Sequence, residues 1–264
     1  MSILLNVPNQ RFGMSNGTLK RNLAVSWRDR GELAWRLVDG LASLRREGPA
    51  EFRDRANRLK ELCGWACSVH DIEVEVSGQL PDGAAIFVSN HLGYVDPVVL
   101  CSLVPVSPIA KSEVAAWAGV GIPLERLNVS FVRRGNAHSG ARVLRKSLRV
   151  LDAGVSVLNF PEGTTTRGEL RPFHLGAFWL ARRTGLPIVP IGMDFADMDL
   201  CWVDDEAFLP HYARFWCGLG RRVRVCIGEP IDPSGFGSEL ELSWRVRQGI
   251  CSTRRPFASH AASG

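Results

Sequence analysis

The chain has 264 residues, 45% hydrophobic and 22% charged, an ordinary globular composition with enough length for one large α/β domain and some decoration. A formal charge of +5 and a pI near 9.0 suit an anionic substrate or membrane surface and carry no nucleic-acid signature of their own. Seven scattered cysteines fit reduced thiols of a cytoplasmic protein better than a disulfide framework, no apolar run reaches transmembrane length, and the first residues lack a secretory-signal pattern.

From Asn22 to Glu47 apolar residues such as Leu33, Leu37, Val38 and Leu41 recur at helical spacing among arginines and carboxylates. A second amphipathic helix follows Pro49, with Phe52, Ala56, Leu59, Leu62, Cys63 and Ala66 on one face. The two read as a helical hairpin over residues 1–70. Their apolar faces either pack on the domain that follows or, with Trp27 and Trp35 beside basic residues, lie on a lipid interface. Cys63, Cys67 and His70 have a spacing that invites a zinc assignment, but a single Cys-x3-Cys on an amphipathic helix is a weak signal, and no metal is expected.

Beyond residue 70 the period changes. IEVEVSG alternates like a half-buried strand and AAIFVSN is the continuous apolar run of a buried one. VSFVRR, VSVLNF, LPIVPIGM and RVRVCIGEPI repeat the strand signal. Helical patterns fill Asp96 to Leu103, Ser112 to Ala118, His138 to Ala153 and His174 to Thr184. This alternation predicts an α/β domain over 71–255 with a mixed, mostly parallel central sheet flanked by helices. Asp194 to Gly220 reads as an excursion or surface flap near the site, and 256–264 as a disordered tail.

The run SNHLGYVDPV leaves a buried-type strand, so Asn90 and His91 fall where α/β proteins usually place ligands. Asp96 before Pro97 looks like a helix N-cap. Residues five apart on an ideal helix differ by roughly 140°, so Asp96 reaches the imidazole only through a turn, which Gly93 could allow. In that geometry Asp96 would orient the ring while His91 takes a proton from a substrate hydroxyl. No serine or cysteine nucleophile is evident beside the pair, and Gly-x-Ser-x-Gly is absent. Arg134, delivered by VSFVRR, is suited to gripping a phosphate or carboxylate, although it belongs to a stretch rich in basic residues. In NFPEGTTTRG, Pro161 ends a strand, Gly163 permits tight backbone geometry, and Glu162 is an acceptor for a hydroxyl or a brace for an arginine.

Taken together, Asn90-His91-x4-Asp96, VSFVRRGN, NFPEGTTTRGELRPFHLGAF and GLPIVPIGM resemble, in order and spacing, the four blocks of the glycerolipid acyltransferases. That family contains 1-acylglycerol-3-phosphate acyltransferases and related lysophospholipid acyltransferases. The resemblance covers Ile86 to Gly192 well and RVRVCIGEPI more loosely. It implies transfer of a fatty-acyl group from acyl-CoA or acyl carrier protein to a lyso-lipid hydroxyl, with the His91–Asp96 pair as general base. It also implies substrate contacts from Asn90, Lys111, Arg134, Glu162, Gly163, Thr164 and Arg167, with Pro190 shaping the pocket. No metal or other cofactor is required, and the expected place is peripheral, on the cytoplasmic face of the membrane. One position departs from the pattern: many phosphatidic-acid-forming members carry arginine where this chain has Thr165, with Arg167 or Arg171 the nearest substitutes. Lysophosphatidic acid, other lysophospholipids and lyso-aminolipids therefore all stay open as acceptors. Two readings compete: a thioesterase or lipid hydrolase that uses water, and a catalytically silent membrane-docking module that binds lipid.

Overall fold

Strand-forming apolar runs build most of the central sheet in the computed structural model, which describes residues 13–15, 18–21, 31, 32, 35, 38, 39, 51–115, 121–203, 207–217 and 220–257. Among these residues the strands are β1 (Gly13–Ser15), β2 (Thr18–Arg21), β3 (Ile72–Ser77), β4 (Ile86–Ser89), β5 (Val106–Lys111), β6 (Ser130–Val132), β7 (Ser156–Asn159), β8 (Ile188–Phe195) and β9 (Arg221–Ile227). They lie side by side in the order β1-β2-β3-β9-β8-β4-β7-β5-β6. The pairings β3–β9, β8–β4, β4–β7, β7–β5 and β5–β6 are parallel, while β1–β2, β2–β3 and β9–β8 are antiparallel. The sheet is thus mixed and mostly parallel, as the alternation of elements predicts.

Central strands are mostly apolar because helices cover both faces. β4 and β8 are buried throughout. Successive residues of β4 point to opposite sides: Phe87 joins the core beneath α1 (Phe52–Val69) and α2 (Val95–Leu103), with Leu59, Leu62, Trp65, Val95 and Val99. Ile86 and Val88 join the core beneath α5 (Ala137–Asp152), α6 (Gly176–Thr184) and α8 (Glu239–Thr253), with Val150, Phe178, Leu180, Leu242 and Val246. Burying a side chain the size of Phe87 or Phe178 contributes about 2 kcal/mol, so the two-sided core is the main force holding the sheet between its layers. The shorter helices α3 (Ser112–Ala115) and α4 (Gly121–Arg126) follow β5.

Of the expected hairpin, the second helix is α1, which buries Ala56, Leu59, Leu62, Cys63 and Trp65. The first lies largely outside the described residues, as does Trp27; residues 31, 32, 35, 38 and 39 are helical and exposed. The Asp194–Gly220 excursion contains a 3-10 turn (Met198–Leu200) and α7 (Phe208–Cys217). It packs on the turn after β4: the Trp202 N–H donates to the Leu92 carbonyl, and the rings of Trp202, Phe208 and Phe215 surround Tyr94 edge-on. The tail departs from expectation at its start. Phe257 is buried, and the Arg224 guanidinium lies 4.1 Å from its ring centroid; 258–264 lie outside the described residues. No helix among the described residues is long and apolar enough to cross a membrane.

Candidate active site

β4 ends at Ser89, and the chain turns out of the sheet through Asn90 and His91. Asn90 is 1% exposed. Its Nδ2 donates to the Met193 carbonyl at 2.9 Å and its Oδ1 accepts the Met193 N–H at 2.7 Å. A buried amide must find partners, and this one extends the β4–β8 ladder with a side chain. Where the resemblance implies a substrate contact, the Asn90 side chain is found buried against Met193, anchoring the turn from behind.

His91 Nδ1 lies 2.7 Å from Asp96 Oδ2. That same oxygen accepts the Leu92 N–H at 2.5 Å and the Gly93 N–H at 2.9 Å. Asp96 is fully buried, and its Oδ1 has no hydrogen-bond partner among the described residues. The expected N-cap role is corrected: Tyr94 is the N-cap of α2, and Asp96, inside the first turn, folds back over residues 91–93. There a carboxylate sits at the favourable end of the helix dipole. With Nδ1 donating to the carboxylate, Nε2 is the acceptor nitrogen. The ring is 19% exposed and stacks on Phe160, with centroids 4.2 Å apart. Gly93 makes the turn possible through space, since a Cβ there would stand 3.1 Å from Trp202 N and 3.2 Å from the Leu200 carbonyl oxygen.

The Phe160–Leu175 loop holds the histidine. Glu162 Oε1 accepts the His91 N–H at 3.0 Å, Glu162 Oε2 accepts the Arg171 N–H at 2.8 Å, and the Thr166 N–H donates to the His91 carbonyl at 2.8 Å. Both backbone groups of His91 are thus fixed by one loop. Glu162 is only 5% exposed, and its two oxygens are taken up by backbone N–H groups rather than by an arginine side chain's hydrogen bond among the described residues. Burial pushes its carboxyl above the ordinary glutamate value, against the opposing backbone N–H bonds from Arg171 and His91. The loop is tied in turn to the C-terminal part of the chain. Arg247 on α8 donates to the carbonyls of Leu170 and Arg171. Arg254 bridges the Gly168 carbonyl to the Asp194 carboxylate. Sequence reasoning missed Arg247, Arg254 and Asp194, because their partners lie 60 to 86 residues away and no local pattern marks them.

Cationic groups occupy the open side. Gly163 has φ +66°, and a Cβ there would lie 3.0 Å from the His174 ring and 3.8 Å from Arg134 Nε, so Arg134 and His174 flank the turn. Lys111 Nζ stands 4.8 Å from the Trp202 ring centroid. Glu113 lies between the charges: its own backbone hydrogen bond holds its carboxyl below the usual value, and Lys111 and Arg134 add to that. Thr164 and Thr165 are half-buried on the same loop, and Arg167 is exposed, near enough to Cys201 for its charge to be felt. Burial, followed by the Asp96 charge, pushes the Cys201 thiol up to about 12, which makes it a poor nucleophile. Pro190, expected to shape the pocket, packs against Gly228 and Gly249, where a Cβ on either would come within 2.9 Å of its ring. The assembled site is a carboxylate-oriented imidazole with one free nitrogen, beside a rim of arginine and lysine.

A family profile described as Acyltransferase matches residues 71–194. The chain is 32% identical over 191 residues to the lyso-ornithine lipid O-acyltransferase of Pseudomonas aeruginosa, covering 70% of this chain and 73% of that one. It is 37% identical over 213 residues to the 1-acyl-sn-glycerol-3-phosphate acyltransferase alpha of Homo sapiens, covering 74% and 69%. The crystal structure of the 1-acyl-sn-glycerophosphate acyltransferase PlsC from Thermotoga maritima matches with a TM-score of 0.56 and 25% identity, covering 83% of this chain and 84% of that one.

Proposed function

Because the chain belongs to the glycerolipid acyltransferase family and is an O-acyltransferase of lyso-lipids, we propose that it moves a fatty-acyl group from acyl-CoA or acyl carrier protein by direct transfer, with His91 as base. The observation that carries this reading is the 2.7 Å contact of Nδ1 with Asp96, which leaves Nε2 to act. Nε2 removes the proton of the lyso-lipid hydroxyl as its oxygen attacks the thioester carbonyl. A C–O bond forms, the C–S bond then breaks, and the departing thiolate takes the proton back from the imidazolium. Asp96 stabilises that transient cation and holds the tautomer. No second nucleophile is needed, in keeping with the raised Cys201 thiol.

Arg134 and Lys111 hold the acceptor head group, and the Gly163–Thr164 turn lets it approach. Thr165 in place of an arginine weakens the case for a phosphate monoester head group. An amino-acid head group presents a single carboxylate, which one guanidinium and one ammonium satisfy. We therefore rank a lyso-aminolipid above lysophosphatidic acid. Exposed Trp35 and Val38, together with Leu175 and Trp179 next to the site loop, support docking on a membrane surface, taken here as the cytoplasmic face.

The test is mass-spectrometric detection of new diacyl lipid, with thiol release, from both carriers and a panel of lyso-lipids. His91→Ala should lower kcat by about 10²- to 10⁴-fold. Free fatty acid without a new lipid would make the protein a hydrolase. Lipid binding with no turnover, equal in wild type and variant, would make it a binding module.

A further inference from the structure

Beyond the acceptor rim the described residues form an open surface cleft, which the reaction as derived does not use. It is a cleft of about 490 Å³ lined by Ser112, Phe131, Arg133, Asn136, His138, Ser139, Arg142 and Arg145. Three arginines and a histidine face it and no carboxylate does. Arg133, Arg142 and Arg145 make no ion pair among the described residues, unlike Arg224 and Arg254, which hold Glu75 and Asp194. Three exposed guanidiniums around one concavity, with Glu113 reaching only Ser112 at its edge, set up a positive local field to which an anion supplied from outside is the complement. The cleft adjoins the site through two chain neighbours: Arg133 lines it while Arg134 stands at the Gly163 turn, and Ser112 lines it next to Lys111.

We infer that this cleft binds the nucleotide end of the acyl donor, the adenosine 3′-phosphate and diphosphate of coenzyme A. The inference rests on the acyl-transfer reading above and adds to it which carrier is used and where it is held. Its volume falls within the range of about 300–1,000 Å³ typical of small-molecule sites, whereas a bilayer or an acidic protein helix would call for a flatter or longer surface. Guanidinium forks pair with phosphate oxygens through two parallel hydrogen bonds. The half-buried Phe131 ring on the wall offers a face on which a purine can stack. From there the flexible pantetheine arm carries the thioester past Arg134 to His91, and the acceptor enters on the Lys111 side.

Calorimetric titration of the full chain with coenzyme A, adenosine 3′,5′-bisphosphate, inorganic phosphate and acyl carrier protein tests this. The same probes are applied to the double variant Arg142→Ala/Arg145→Ala and to Arg142→Gln/Arg145→Gln, which keeps helix propensity and polarity. Coenzyme A and the bisphosphate should compete on the wild type and weaken by roughly tenfold or more in both variants. In turnover, KM for acyl-CoA should rise by a similar factor while KM for the acceptor holds. Equal coenzyme A affinity in wild type and variants overturns the proposal. So does inorganic phosphate binding as tightly as the bisphosphate, or a loss confined to acyl carrier protein. If the wild type binds coenzyme A at the cleft yet acylates nothing, the catalytic reading fails and the binding site stands.

Discussion

Glu162 illustrates how a residue acts through its neighbour's backbone. Its two oxygens accept two N–H groups, those of His91 and Arg171, and an amide cannot replace it, because the NH2 of glutamine would confront one of those donors. Glu162→Gln should therefore leave a buried donor unpaired, at a cost of about 1–3 kcal/mol, and lower kcat without changing KM for either substrate in proportion. Its titration supplies a second test. The folded-state pKa is raised, chiefly by burial, so the native state holds the proton over the window from the ordinary glutamate value up to the raised one. Stability from this group is fully present below that window and declines as pH rises through it. Thermal unfolding across the acid range should show the wild type's margin over Glu162→Gln shrinking with rising pH and then levelling. A margin that grew through the same window would contradict the assignment. His91, Asp96 and Glu162 were legible as chemistry in the sequence. The inward turn of Asn90 and Glu162 was not, because their hydrogen bonds to Met193, His91 and Arg171 are ones that only the folded sheet brings into reach.

At the scale of elements, the Phe160–Leu175 loop is the organising piece, and it depends on Arg247 and Arg254 far along the chain. Arg254 reaches the Gly168 carbonyl and the nearly buried Asp194. Arg254→Ala removes both contacts and should cost about 2 kcal/mol. Hydrogen exchange should show faster exchange around 166–171 together with reduced kcat. Arg254→Lys should restore less than half of the loss, because an ammonium lacks the two-pronged guanidinium geometry. Destabilisation with unchanged exchange in that loop would reduce Arg254 to a plain surface brace. Period alone placed α1, α2, α5, α6 and most strands to within a few residues, but β5, with Pro108 in its middle, and the long helix α8 were not expected from it. Nor was the capping of α2: Asp-Pro suggests a cap at Asp96, yet the folded turn gives that place to Tyr94, whose ring the excursion encloses. A packing contact outweighed a local preference.

For the whole molecule, apolar exposure clusters on a few helices. Leu175 and Trp179 lead into and along α6, Leu240 and Trp244 repeat the same i, i+4 spacing on α8, and both pairs are exposed. α6 and α8 touch, joined by the Arg182–Glu239 pair. Tryptophans at this level of exposure are suited to the membrane–water boundary, where an apolar body and a polar edge are both satisfied. Trp179→Ala/Trp244→Ala should reduce sedimentation with phospholipid vesicles several-fold while leaving turnover of a detergent-dispersed acceptor near the wild-type rate. Loss of both together would argue for a role in the site itself. The sheet and its layers followed from alternation of elements along the sequence. The order β3-β9-β8-β4 did not, since the antiparallel return of β9 between β3 and β8 has no local signal.

That order and the Arg247 and Arg254 ties mean that the histidine is made early and secured late. During synthesis His91 and Asp96 leave the ribosome long before β9, α8 and the two arginines that fix the loop behind them. A nascent chain can hold the His91–Asp96 pair and still be unable to hold it still. A chain broken off before Arg254 should thus keep the residues of the His91–Asp96 contact without the ties that fix the loop behind them, and show reduced turnover.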